Sequence, residues 1–131
     1  MKLLLDTHFW PWALLDPQRL SNEVSAALQS PDAELWLSPV SVWEATLLAE
    51  RGRVQVKSDV SAWVRGMIAA LPCREAPLTH EIAIVRSALK LAHEDPADRF
   101  LAATAQVNEL TLVTADERLI GSAEFLVMGN Y

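Results

Sequence analysis

The sequence predicts an α/β fold built on a mainly parallel sheet. Short apolar runs of strand length alternate with longer stretches whose apolar residues recur at helical spacing. The first run, Lys2–Leu5, is continuously apolar after its lysine, as expected of a strand covered on both faces. Asp6 follows that run directly, and Asp116 follows the late run Leu110–Val113. Parallel sheets gather ligands beyond the carboxyl ends of their strands, so the pair marks a candidate site.

The elements follow in order. Leu20, Val24, Ala27 and Leu28 keep helical spacing, and Leu35–Leu37 reads as a short strand. A helix is expected from about Pro39 to Glu50, closed by Gly52. Val60, Trp63, Val64, Met67, Ile68 and Leu71 form the clearest apolar stripe. Cys73–Leu78 reads as a strand shortened by Pro72 and Pro77. Ile82, Val85, Ala88, Leu89 and Ala92 mark the next helix, and Phe100, Ala103, Thr104 and Val107 another. Leu110–Val113 and Phe125–Met128 are the last two strands. Trp43 and Trp63 are expected in the core, on apolar helix faces. Trp10-Pro11-Trp12 packs under the first loop, or offers aromatic anchors to a protein partner.

A chain of 131 residues, 51% hydrophobic and 21% charged, suits one domain with a sizeable core, expected over residues 1–131. No apolar run approaches the roughly 20 residues that span a bilayer, and the start lacks the apolar stretch of a signal peptide. A cytoplasmic protein without membrane contact is expected. Cys73 is the single cysteine, so no internal disulfide forms. No Cys/His cluster offers a zinc site. The net charge of -6 opposes broad nucleic-acid binding unless several acids converge on a divalent cation.

Four acids are candidates, and each has a structural alternative. Asp6 either closes a turn or carries function, and its place directly after Leu3-Leu4-Leu5 favours function. Glu44 completes a capping box with Ser41, or stands in the second turn of a helix begun at Ser38-Pro39; the two readings are even. Asp98 follows the cap Asp95 and Pro96, where the helix dipole favours a carboxylate whatever its task. Asp116 caps a short helix, Glu117–Ile120, or faces the cleft. Together the four stand at two strand ends and near two helix starts. Carboxylates brought together repel, and a hard cation such as Mg²⁺ relieves the conflict.

At these residues the chain resembles the PIN-domain toxins of the VapC type, from bacterial toxin–antitoxin pairs. The matching segments are Leu4-Leu5-Asp6-Thr7-His8, Leu37-Ser38-Pro39-Val40-Ser41-Val42-Trp43-Glu44, the stretch from Ala92 to Ala105 with Asp95-Pro96-Ala97-Asp98-Arg99 inside it, and Leu112-Val113-Thr114-Ala115-Asp116. They span nearly the whole chain in the family's order. The resemblance implies a three-layer α/β/α fold, Mg²⁺ or Mn²⁺ dependence, endoribonuclease activity on RNA, a homodimer and a VapB-like antitoxin partner. It also implies that Asp6, Glu44, Asp98 and Asp116 form the acidic cluster, with Asp6 and Asp98 as the direct ligands. One departure is Leu48, where related chains often carry a lysine; Arg51, Arg53 and Lys57 are substitutes for its phosphate contact, or simply a solvated face.

The expected chemistry is in-line attack on phosphorus by a water that the cation activates, with Glu44 accepting its proton. Thr7 and Thr114 position water or phosphate, or serve strand-end hydrogen bonding. Arg99 pairs with Glu94 or Asp95, or meets an RNA phosphate. His8, His80 and His93 are assigned structural roles. Two rivals remain: an aspartate-based phosphotransfer domain with Asp6 as nucleophile, and a non-catalytic PIN-like scaffold that binds RNA or a partner.

Overall fold

The computed structural model describes residues 1–52, 56, 59–90, 95–120 and 124–130. Among these residues five strands, β1 (Lys2–Leu5), β2 (Glu34–Leu37), β3 (Arg74–Glu75), β4 (Thr111–Thr114) and β5 (Leu126–Gly129), form one sheet in the order β3-β2-β1-β4-β5. Every pairing is parallel. β1 is central, with Leu3 opposite Leu35 of β2 and Leu4 opposite Leu112 of β4. The chain runs outward from β1 to β3, then returns to add β4 and β5 on the other side. The order therefore reverses between β1 and β4, which opens a crevice beyond their carboxyl ends.

Among the described residues six α-helices cover the sheet: α1 (Phe9–Leu15), α2 (Asn22–Gln29), α3 (Pro39–Glu50), α4 (Val60–Ala70), α5 (His80–Ala88) and α6 (Pro96–Asn108). Successive strand residues point to opposite faces, and β1 obeys this strictly. Leu4 packs with Ile82 of α5, Leu101 and Ala102 of α6, and Leu112. Leu3 and Leu5 pack on the other face with Phe9, Trp10, Val24, Ala45, Val64 and Met67, from α1 to α4. The result is the three-layer α/β/α sandwich, with α5 and α6 on one side and α1–α4 on the other.

Capping chemistry sets most helix starts. Ser21, Asp59 and Thr79 each accept a hydrogen bond from the backbone N–H three residues on. Ser38 accepts from the Val40 N–H and Pro39 opens α3, so the Ser38-Pro39 start prevails over the Ser41 capping box. Asp95 accepts from the N–H groups of Ala97 and Asp98, with Pro96 first in α6. Gly52, at φ +71°, follows α3 in the left-handed conformation that glycine adopts without strain.

Several elements depart from expectation. The segment Phe9–Leu15 is helical although Pro11 lies within it. Pro11 sits in the first turn, where the missing N–H has no helical acceptor. Residues 117–120 form turns rather than a helix, with the Leu119 N–H bonded to the Asp116 carbonyl at 3.0 Å. β3 keeps only two of the six residues expected between Cys73 and Leu78. α5 ends at Ala88, and Ala92 lies outside the described residues. Trp63 is half-buried, but Trp43 is 59% exposed rather than in the core.

For Trp10 the packing alternative holds. It is fully buried beside Phe9, and its indole Nε1 has no hydrogen-bond partner among the described residues. It is core, not a partner anchor; only the half-buried Trp12 is available at the surface. Trp10→Ala is expected to cost about 3–5 kcal/mol, because a large cavity opens in a dense interior. That approaches the whole stability of a small domain. Urea denaturation reads it: the midpoint should collapse for Trp10→Ala and shift far less for Trp12→Ala. An unmoved midpoint for Trp10→Ala refutes the assignment.

Candidate active site

The crevice beyond β1 and β4 is a cleft of about 340 Å³. Its lining includes Asp6, Glu44, Asp98 and Asp116, so all four expected acids face one space. Thr7, His8, Asp95 and Arg118 complete its polar wall. From sequence Asp95 is a cap or a partner of Arg99, and nothing there marks Arg118.

Asp6 is anchored first. It continues β1, its own N–H bonding the Val113 carbonyl at 3.0 Å. Its side chain is 6% exposed. Oδ1 accepts from the Thr7 N–H and Oδ2 from the Thr114 hydroxyl, each at 2.7 Å. Burial pushes its pKa up against the opposing pull of those two bonds. Thr114 in turn accepts from the Asp116 N–H at 3.0 Å, so one hydroxyl ties the ends of β1 and β4 together.

Thr7 makes a second link. Its hydroxyl donates to Glu44 Oε1 at 2.5 Å and lies 3.4 Å from the buried Ser41 hydroxyl. The Ser38 start puts Glu44 in the second turn of α3, and this bond aims it at β1. Burial first, then the charges of Asp95 and Asp6, raise its pKa. Asp98 stands in the first turn of α6, where its pKa is pushed up to about 7. Burial is the largest cause, followed by the charges of Asp6, Asp95, Asp116 and Glu44. Asp116 leaves β4 and meets Arg118, whose Nε and Nη2 reach its two oxygens at 3.0 and 2.9 Å.

The donor set fits a hard divalent cation. It is made of carboxylate oxygens, and three of the four acids resist ionisation where they stand. Among the described residues, no three His, Cys, Asp or Glu side chains already stand in a metal-binding arrangement. The hydrogen bonds explain this: Asp6 is held by Thr7 and Thr114, Glu44 by Thr7, and Asp116 by Arg118. Like charges do not close on one another without a cation between them.

Arg99 corrects the Asp95 and RNA-phosphate readings, while its pairing with Glu94 lies outside the described residues: it is 8% exposed and its Nη2 donates to the Arg86 and Leu89 carbonyls, each at 2.9 Å. It ties α6 to the last turn of α5, whose carbonyls lack helical partners. His8 stacks on Trp12, ring centres 5.8 Å apart. His93, Glu94, Arg53 and Lys57 lie outside the described residues. Leu48 lines a neighbouring cleft with Trp12 and Arg19, so among the described lining residues the cation beside that position is Arg19, from the short 3₁₀ turn Pro17–Arg19.

A parallel sheet in this order, with carboxylates gathered beyond β1 and β4, is a doubly wound α/β domain with an acidic site at its switch point. The PIN domain model matches residues 3–124, and the chain belongs to that family. It is 37% identical over 118 residues to Ribonuclease VapC22 of Mycobacterium tuberculosis, covering 89% of this chain and 88% of that protein. Solved structures carry the same fold. A chain of VapBC2 from Rickettsia felis, bound to a promoter DNA fragment, aligns with a TM-score of 0.74 at 13% identity over 98% of both chains. A chain of a toxin–antitoxin complex from Klebsiella pneumoniae aligns with a TM-score of 0.67 at 21% identity, again over 98% of both.

Proposed function

We propose that this chain is a Mg²⁺-dependent endoribonuclease, with Mn²⁺ able to replace Mg²⁺, and that it is the toxin of a toxin–antitoxin pair. The observation that carries the reading is the single cleft shared by Asp6, Glu44, Asp98 and Asp116. The likeness to Ribonuclease VapC22 supports the activity. The VapBC complexes among the structural neighbours support a VapB-like antitoxin as partner. A homodimer and a cytoplasmic location complete the proposal. No helix among the described residues is long and apolar enough to cross a membrane.

Asp6 and Asp98 would hold the cation, with Asp116 and Glu44 ligating directly or through water. Bound there, it supplies Lewis-acid polarisation of the phosphate and a more acidic water. Thr114 and the Thr7 N–H fix the orientation of Asp6. The Thr7 hydroxyl fixes that of Glu44, whose raised pKa suits it to take a proton. Water oxygen bonds to phosphorus as the P–O3′ bond breaks in line; the water proton passes to the carboxylate, and the departing O3′ takes a proton from solvent. The products carry 5′-phosphate and 3′-hydroxyl ends.

The phosphotransfer alternative fits less well. Both Asp6 oxygens accept hydrogen bonds in a buried position, which blunts a nucleophile. Incubating the purified chain with total RNA, with Mg²⁺ or with EDTA, tests the reading. Discrete cuts with 5′-phosphates are expected only with the metal. Equal cutting in EDTA, or no cutting at all, would overturn it.

A further inference from the structure

Resting on the nuclease reading, we propose that Arg118 is a phosphate-binding residue that shares Asp116 with the metal. It clamps Asp116 in the metal-free chain and engages an RNA phosphate once the cation takes that carboxylate.

Arg118 belongs to the wall of the acidic cleft, and it is the one guanidinium among the described lining residues. It approaches Asp116 from three directions: its N–H reaches Oδ1 at 2.9 Å, Nε reaches Oδ1 at 3.0 Å, and Nη2 reaches Oδ2 at 2.9 Å. Both carboxylate oxygens that a cation needs are therefore engaged by one side chain. The side chain is 57% exposed, against 21% for that of Asp116. It packs into no core, and it hangs from the turn of residues 117–120.

The pair has the geometry of an exchangeable clamp. A planar fork that fits a carboxylate fits a phosphate equally well. An exposed ion pair is worth little, so a divalent cation displaces it readily. The released fork then stands two residues from a metal ligand, where the scissile phosphate must lie. An acidic chain of net charge -6 needs such a contact to admit RNA.

Competition for Asp116 and attraction for phosphate predict effects of opposite sign. Arg118→Ala should bind Mn²⁺ about twofold to fivefold more tightly by calorimetry without RNA, the scale of an exposed ion pair. It should bind a short oligoribonucleotide about tenfold more weakly, by anisotropy with Ca²⁺ in place of Mg²⁺. The salt dependence of RNA binding should flatten by about 0.7 in log–log slope, one phosphate contact on a single strand. Arg118→Lys should tighten the metal likewise and recover part of the RNA affinity. If Arg118→Ala weakens metal and RNA together, the residue merely props Asp116 and the proposal fails. Unchanged RNA affinity also defeats it. A wild-type chain that binds no divalent cation would instead refute the nuclease reading itself.

Discussion

Asp98→Asn should abolish RNA cleavage while making the metal-free protein more stable. Two effects of opposite sign meet at this side chain. In the first turn of α6, a carboxylate gains about 0.3–1 kcal/mol from the helix dipole, which the amide forfeits. Against this, burial and four neighbouring acids displace its pKa from 3.8 to about 7. Even halved for solvent screening, that displacement leaves about 2 kcal/mol against the ionised form in the fold. Repulsion wins. For an acid whose folded-state pKa is raised, stability is full below the unfolded value near 4 and is lost as pH climbs towards 7. The variant should therefore melt above wild type at pH 8 in EDTA, and the gap should close at pH 4. Mg²⁺ should stabilise wild type and leave the variant unmoved, because stabilisation follows ligand binding to the folded state. Cleavage should fall at least about 100-fold. Asp6→Ala should also be inactive, but it removes a buried acceptor of two hydrogen bonds and confounds the stability reading. Wild-type cleavage by purified Asp98→Asn, or by Asp6→Ala, would end the site assignment.

The parallel sheet was readable from sequence because its strands are buried on both faces. Leu3-Leu4-Leu5 and Leu112-Val113 need apolar residues at successive positions, a pattern that no half-exposed strand shares. Caps were equally clear, since Ser38-Pro39 and Asp95-Pro96 fix both the acceptor and the first helical dihedral. No helix is expected around Pro11 from the sequence, although the first turn of α1 tolerates proline. Trp43 misled for a different reason. α3 has apolar residues on all sides, so periodicity could not tell its inner face from its outer one.

The site was legible in its acids and illegible in their partners. Asp6 and Asp116 were marked by strand ends, a rule of topology. Thr114 holding Asp6 and Thr7 holding Glu44 join residues 108 and 37 positions apart, which local pattern cannot forecast. Arg99 failed for the same reason: its acceptors are backbone carbonyls of α5, and every residue type supplies those. The acidic net charge reads differently once the cleft is known. Five carboxylates line it, so much of the imbalance is local.

Metal affinity should fall steeply with acidity, and the sign follows from the same carboxylates. A cation binds the ionised form of Asp98, whereas the metal-free fold holds its proton up to about pH 7. Below that value each bound ion must expel a proton, so apparent affinity should drop nearly tenfold per pH unit. Asp6 and Glu44, whose pKa values are also raised, steepen the decline at lower pH. Above it Asp98 has already lost its proton, and affinity should level off. Calorimetry in buffers of differing ionisation enthalpy should count close to one proton released per metal at pH 6 and almost none at pH 8.5. Cleavage at limiting Mg²⁺ should climb through neutrality, and excess Mg²⁺ should slide the rise towards lower pH, because the metal outcompetes the proton. Affinity that stays level from pH 5.5 to 8 would mean that the crowded carboxylates do not exchange protons for a cation, and the shared-site reading would fall with it.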